Sequence, residues 1–265
     1  MFPKPRQDLV PNTAEFERLP FVRATGFREY DARWRYPEEI NLLGLEAVGL
    51  GLATLMRERG VPVRVVVGHD YRSYSAAVKA ALMTGLLAGG AEVHDIGLSL
   101  SPMAYFAQFD LGVEGVAMVT ASHNDNGWTG IKMGMQRPLT FSPEDMTALK
   151  EIVLNAGFSP EHAAGRYIFV PDMPERYMAD LLARPKLLRP LKVVVSCGNG
   201  TAGAFAPRVL AELGCTVIPL NCELDHTFPA HNPNPEDLGM LHATRDAVLE
   251  HAADLGLAFD GDGDR

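Results

Sequence analysis

The chain predicts a layered α/β fold in two units, each a sheet flanked by helices. Three observations carry this. Short apolar, β-branched runs alternate with helical stretches along most of the chain, as in sheets covered by helices. Several runs end in small, polar, glycine-punctuated segments, which read as loops at strand ends. And 265 residues suffice for about two domains.

Residues 1–20 read as an irregular arm with prolines, and residues 25–33 as a loop holding Arg28, Tyr30, Asp31 and Arg33. Guanidinium groups suit phosphate because they offer a planar fork of donors. A solvated charged turn is the plainer reading of the same residues. Residues 39–58 predict a helix, with apolar Leu42, Leu45, Val48, Leu52 and Leu55 and a stop at Gly60. A strand over 61–67 runs into the turn Asp70-Tyr71-Arg72; a helix over 75–87 and a strand over 92–96 follow. Ser101 then reads as an N-cap with Pro102 at the first helical position. Ser142 to Asp145 has capping-box character and opens a helix to about Asn155; residues 156–166 read as a linker.

Beyond it, residues 177–182 predict a helix and 191–195 a strand. Next come a glycine-rich turn, a helix over 204–213, a strand over 216–220 and a proline-rich loop over 228–236. A helix over 238–253 and a strand over 255–259 close the order.

The net charge is −9, with 47% hydrophobic and 22% charged residues. An acidic chain argues against a nucleic-acid partner, though local arginines can still form a positive pocket. No apolar run approaches a membrane span, and the N-terminus lacks the apolar core of a signal peptide. Cys197, Cys215 and Cys222 have neither metal-ligand nor disulfide-framework spacing, so a reducing cytoplasm is expected, with no membrane partner.

Two stretches carry chemistry. The apolar run over 113–119 enters Thr120-Ala121-Ser122-His123-Asn124, and Lys132 follows ten residues after the serine. A hydroxyl, an imidazole and an amide thus stand where a strand ends, the usual place for ligands in α/β proteins. A turn whose Ser and Asn bond their own backbone is the alternative. The second stretch is Asp260-Gly261-Asp262-Gly263-Asp264-Arg265. Three carboxylates that converge repel one another unless a cation sits among them. Oxygen-only ligands favour Mg²⁺ or Ca²⁺. An EF-hand would need Gly at the sixth position, where Arg265 stands.

Thr-Ala-Ser-His-Asn with Gly130-Ile131-Lys132 downstream, together with Asp-Gly-Asp-Gly-Asp-Arg, resembles the α-D-phosphohexomutase family, which includes phosphomannomutases and phosphoglucomutases. Residues 27–33 are similar to that family's Phe-Arg-x-Tyr-Asp-x-Arg segment, and residues 229–235 to its Pro-x-His-x-Pro-Asn-Pro connector. The resemblance covers the N-terminal half of a family member. It implies domain I over 1–158, domain II over 159–254, and over 255–265 the first strand and metal loop of a third. The activity implied is exchange between hexose 6-phosphates and hexose 1-phosphates through a phosphoserine and a 1,6-bisphosphate. The implied catalytic set is Ser122, Lys132, Arg33 and His123; Arg265, Tyr30, Arg28 and Asn124 would bind phosphate or substrate. Ser122, Asp260, Asp262 and Asp264 would hold Mg²⁺. Domains III and IV are expected for full activity. Trp34 stands where the family usually has Gly, His69 where Arg is common, Asp125 for Pro and Thr129 for Asn.

Two other classes stay open: a non-catalytic metal- or sugar-phosphate-binding remnant, and an NAD-binding oxidoreductase. The latter rests on Gly198, Gly200 and Gly203, a G-x-G-x-x-G after a strand. Asn221 stands near where an acidic ribose ligand is needed, with Glu223 just beyond.

Overall fold

A computed structural model describes residues 2–159, 164–184 and 187–265. The centre of the expected linker, residues 160–163, lies outside the described residues. The elements are β1 (Asp31–Arg35), α1 (Leu42–Glu58), β2 (Arg64–His69), α2 (Ser75–Ala88), β3 (Glu92–Leu98), α3 (Ser101–Asp110), β4 (Gly115–Val119), β5 (Trp128–Gly134) and α4 (Pro143–Asn155). They continue with β6 (Arg166–Phe169), α5 (Met173–Leu182), β7 (Lys192–Ser196), α6 (Ala206–Glu212), β8 (Thr216–Leu220), α7 (Leu238–Glu250) and β9 (Leu255–Ala258). Among the described residues no helix is long and apolar enough to cross a membrane.

A six-stranded mixed sheet runs β1-β5-β4-β2-β3-β6, and a three-stranded parallel sheet runs β8-β7-β9. In the first, β2, β3, β4 and β6 are parallel, and β1 and β5 form an antiparallel edge. Valines fill β2, and β4 is buried along its whole length, as a strand covered on both faces must be. The α1 and α2 helices pack closely enough that a Cβ on Gly49 would stand 2.1 Å from the Leu82 carbonyl oxygen. Asn41 caps α1 by accepting from the Gly44 amide, and Ser142 caps α4 in a capping box with Asp145.

The structure corrects three expectations. First, the stretches around Arg33 and Lys132 are strands rather than loops, paired antiparallel with Arg33 opposite Gly130. In β1, Ala32 and Trp34 point into the core while charged residues alternate outward, so the high charge hides the period of two. Trp34, the departure from glycine, is fully buried, and its Nε1 donates to the Arg23 carbonyl at 2.8 Å. Second, Ser101 does not cap α3; Leu100 is the cap residue, and the Ser101 hydroxyl donates to Asp262 Oδ2 at 2.5 Å. Third, the stretch after the glycine-rich turn begins as a 3-10 turn, Thr201–Ala204, before α6. β6 takes its hydrogen bonds from β3 of the first sheet, and β9 takes its own from β7 of the second.

Candidate active site

The carboxyl ends of β2 and β4 deliver Asp70 and the loop over 120–126. Asp70 accepts from Thr120 Oγ1 at 2.9 Å, Ser75 Oγ at 2.5 Å and Arg72 Nε at 3.2 Å. The Asp70 and Arg72 side chains are each 1% exposed. A charge pair buried this deeply is tolerable only when its remaining donors and acceptors are used. Arg72 uses its donors on the loop, at the carbonyls of Ser122 (3.1 Å), Asn124 (2.6 Å) and Asp125 (2.9 Å). The Asp70-Tyr71-Arg72 turn, structural in the sequence reading, is therefore the frame on which the serine loop is shaped.

Ser122 is buried and sits in the left-handed region with φ +53°, which costs a residue bearing a Cβ about 1–2 kcal/mol. Its amide donates to Thr120 Oγ1 at 2.8 Å, which helps to hold that conformation. Its hydroxyl donates to Asp260 Oδ2 at 3.0 Å, across 138 positions of sequence, and lies 3.3 Å from His123 Nδ1. The approach is close enough that a Cβ on Gly261 would stand 2.5 Å from the Ser122 carbonyl oxygen. Glycine at 261 is thus required by the neighbouring chain.

Asp260, Asp262 and Asp264 each offer an oxygen within 4.8 Å of the others. Asp260 and Asp262 are fully buried and Asp264 is exposed. Lys132 Nζ lies 2.7 Å from Asp262 Oδ2 and also bonds Asp264. One ammonium does not neutralise three carboxylates. Burial first, then the charges of Asp262 and Asp264, raise the Asp260 pKa to about 7. Asp262 Oδ1 is buried with no partner among the described residues. An excess of negative charge and an unused buried oxygen fit a hard divalent cation. Burial pulls the Lys132 ammonium down, but Asp262 and Asp264 more than offset it, so its pKa is raised. His123 moves the other way: burial, then Arg265 and Arg33, lower its pKa, which favours the neutral imidazole.

Arg33 Nε donates to Asp31 Oδ2 at 2.8 Å, while its Nη1 reaches the Ala121 carbonyl at 3.3 Å and the Asn124 side chain. Arg28 and Tyr30 are exposed and line a cavity of about 510 Å³ together with Tyr105, Lys132 and Asp264. Arg28 also lies over the Trp128 ring, 5.5 Å from its centroid. Arg265 gives its amide to Asp260 Oδ1 at 3.2 Å and its guanidinium to Glu236 at 3.1 Å. The structure therefore gathers Ser122, His123, Arg33, Asn124, Lys132 and the three aspartates, and puts Arg28 and Tyr30 at the rim. Ser101 and Tyr105 stand at the site although the sequence reading does not name them there; a serine before Pro102 is a signal for a cap, not for a bond to Asp262.

The glycine-rich turn is filled by its own chain. A Cβ on Gly203 would stand 2.0 Å from the Cys222 carbonyl oxygen, and one on Gly198 would stand 2.9 Å from Pro233. These glycines are explained by internal close approach, which leaves the dinucleotide reading without support.

Fold and site define a class: an α/β protein that brings one serine hydroxyl and three carboxylates together at strand carboxyl ends, beside a lysine and an arginine. Family comparison makes the assignment specific. Residues 24–159 match the model for phosphoglucomutase/phosphomannomutase alpha/beta/alpha domain I, and residues 175–265 match that for domain II. The chain belongs to the phosphoglucomutase/phosphomannomutase family. It is 34% identical over 248 residues to a phosphomannomutase/phosphoglucomutase of Pseudomonas aeruginosa, covering 94% of this chain and 52% of that protein. To a phosphomannomutase of Salmonella typhimurium it is 38% identical over 256 residues, covering 92% and 55%. The crystal structure of a phosphoglucomutase/phosphomannomutase family protein from Burkholderia thailandensis aligns with a TM-score of 0.86 at 31% identity, covering 92% of this chain and 54% of that one. The chain spans about half the length of the relatives it matches.

Proposed function

We propose that this chain is the phosphoserine- and metal-carrying part of a phosphohexomutase. The reaction exchanges the 6- and 1-phosphates of mannose, glucose or both, and feeds nucleotide-sugar and polysaccharide synthesis. The observation that carries the reading is the 3.0 Å contact between Ser122 Oγ and Asp260, at the edge of the acidic cluster. Phosphoryl transfer is mostly positioning and charge stabilisation, and this site offers both.

Ser122 carries the phosphoryl group in the resting enzyme. A free hydroxyl of the bound hexose phosphate attacks phosphorus, the bond to Ser122 Oγ breaks, and a hexose 1,6-bisphosphate forms. After reorienting, the bisphosphate returns its other phosphoryl group to Ser122. His123, whose pKa is lowered and which lies 3.3 Å from Ser122 Oγ, takes the proton of the attacking hydroxyl and passes it to the departing Ser122 oxygen; on the return step it moves the proton from Ser122 back to the hexose oxygen. Lys132, whose pKa is raised, stays charged and holds the transferring group with Arg33. Asp260, Asp262, Asp264 and Ser122 would hold Mg²⁺, which supplies positive charge to the phosphoryl oxygens. Arg265, Arg28, Tyr30 and Asn124 bind phosphate or sugar, and domains III and IV complete recognition of the hexose. The free cysteines Cys197, Cys215 and Cys222 are in keeping with the reducing cytoplasm as its place of action.

Intact mass after incubation with glucose 1,6-bisphosphate and Mg²⁺ tests the reading. One phosphate on a peptide containing Ser122, absent from Ser122→Ala, is expected. Metal binding with no phosphate on Ser122 would overturn it and leave a binding remnant.

A further inference from the structure

The carbonyls of the serine loop have an unusual set of partners. Those of Ser122, Asn124 and Asp125 accept from Arg72, and that of Ala121 accepts from Arg33. Both arginines belong to the first sheet's side of the molecule. The His123 carbonyl is held differently, by Asn232 Nδ2 at 2.6 Å. Asn232 lies 109 positions away, in the proline-rich loop between β8 and α7. Pro229, Pro233 and Pro235 restrict that loop, and Pro233 is buried against Gly198. Asn232 Oδ1 is buried with no partner among the described residues, so the side chain is turned to suit its amide donor. An amide left to choose would satisfy both ends.

Two further contacts join the same loops. Asn126 Nδ2 donates to the His226 carbonyl at 2.8 Å, and the Arg72 guanidinium lies over the Phe228 ring, 5.4 Å from its centroid. Neither touches the peptide of His123. The peptide that follows His123 Cα is held at both ends: inside the loop the Asn124 amide donates to the Ala121 carbonyl at 3.0 Å, and the Asn232 bond ties its carbonyl to the second sheet's loop, beside an imidazole 3.3 Å from Ser122 Oγ.

We propose that Asn232 is a positioning residue for phosphoryl transfer at Ser122: from the second sheet's loop it sets where His123 stands. The inference rests on the proposed phosphoserine reading. Asn232 touches neither the hydroxyl nor the phosphoryl group, and acts through the His123 main chain.

The test uses the full chain with Mg²⁺ and glucose 1,6-bisphosphate, and follows phosphate uptake on Ser122 by intact mass across bisphosphate concentrations. Asn232→Ala is expected to lower the maximal uptake rate about tenfold or more, as sub-ångström misplacement of a reacting group does, with the half-saturating concentration unchanged. Asn232→His, which keeps an N–H donor near the same place, is expected to recover part of that rate. Asn126→Ala breaks a contact between the same two loops and is expected to lower thermal stability without changing the rate. Equal rates for Asn232→Ala and the unaltered chain would overturn the inference while leaving the phosphoserine reading intact. A rise in half-saturating concentration at unchanged maximal rate would also overturn it, since Asn232 would then serve binding. Slowing by Asn126→Ala as large as by Asn232→Ala would reduce Asn232 to general loop stability. No phosphate on Ser122 in the unaltered chain would overturn both.

Discussion

The two sheets are built to different depths. In the first, β4 is buried at every position, β2 at its four inner ones, and α1 packs most of its length into the core. In the second, β8 and β9 have no fully buried residue, and α6 buries none of its side chains. The strained serine rises from the deep sheet, and the acidic loop comes off the shallow one. A residue held at an unfavourable φ needs surroundings that over-determine it, and the Asp70–Arg72 frame supplies them. Carboxylates that would hold a cation, as proposed for these three, need less support from their own sheet, because the ion itself would tie them together. The difference teaches that each half of the site rests on the scaffold its own chemistry requires.

The largest test of that contrast strikes the frame. Arg72→Met leaves Asp70 as an unpaired buried charge and the Ser122 and Asn124 carbonyls without their donor, while the Asp125 carbonyl keeps only the Trp128 amide at 3.4 Å. It is expected to cost about 3–5 kcal/mol in urea unfolding followed by circular dichroism; a loss below about 1 kcal/mol would mean that the frame is not what supports the loop. On the shallow side the expected effect depends on metal. Mg²⁺ at about 100 times its dissociation constant should stabilise the protein by roughly 2.7 kcal/mol, read as a higher melting temperature. Asp262→Asn should lose most of that gain, and an equal gain in both proteins would place the ion elsewhere. The smallest effect sharpens the argument about strain. Ser122→Gly and Ser122→Ala both lose the hydroxyl, but only glycine is at ease at φ +53°. The glycine variant should be the more stable of the two by about 1 kcal/mol, and equal stabilities would remove strain from the account.

Much of this was legible in the sequence, for identifiable reasons. Buried parallel strands advertise themselves as apolar, valine-rich runs, so β2, β4 and β7 were found within a few residues of their observed bounds. Ser142 with Asp145 is a local signal, and the cap formed as expected. The antiparallel strands β1 and β5 were missed because charge and glycine at alternate positions mimic a loop. Which residues would meet in space was legible only through the motifs. Nothing near Ser101 shows that its hydroxyl is committed to Asp262, 161 positions away, and nothing near Asn232 shows that it reaches His123. Such contacts depend on how two sheets face each other, which no local pattern encodes.

One feature of the site bears on how an anion would enter it. Lys132 is engaged by Asp262 and Asp264, Arg33 by Asp31, and Arg265 by Glu236. Each of these cations already has a resident acid. A phosphate arriving as proposed would meet cations that already have partners, and its affinity would reflect the difference between two partnerships instead of the strength of one. A divalent ion that takes over Asp262 and Asp264 would release Lys132 at the same moment, so occupancy by metal and readiness for phosphate are tied together through a single ammonium group.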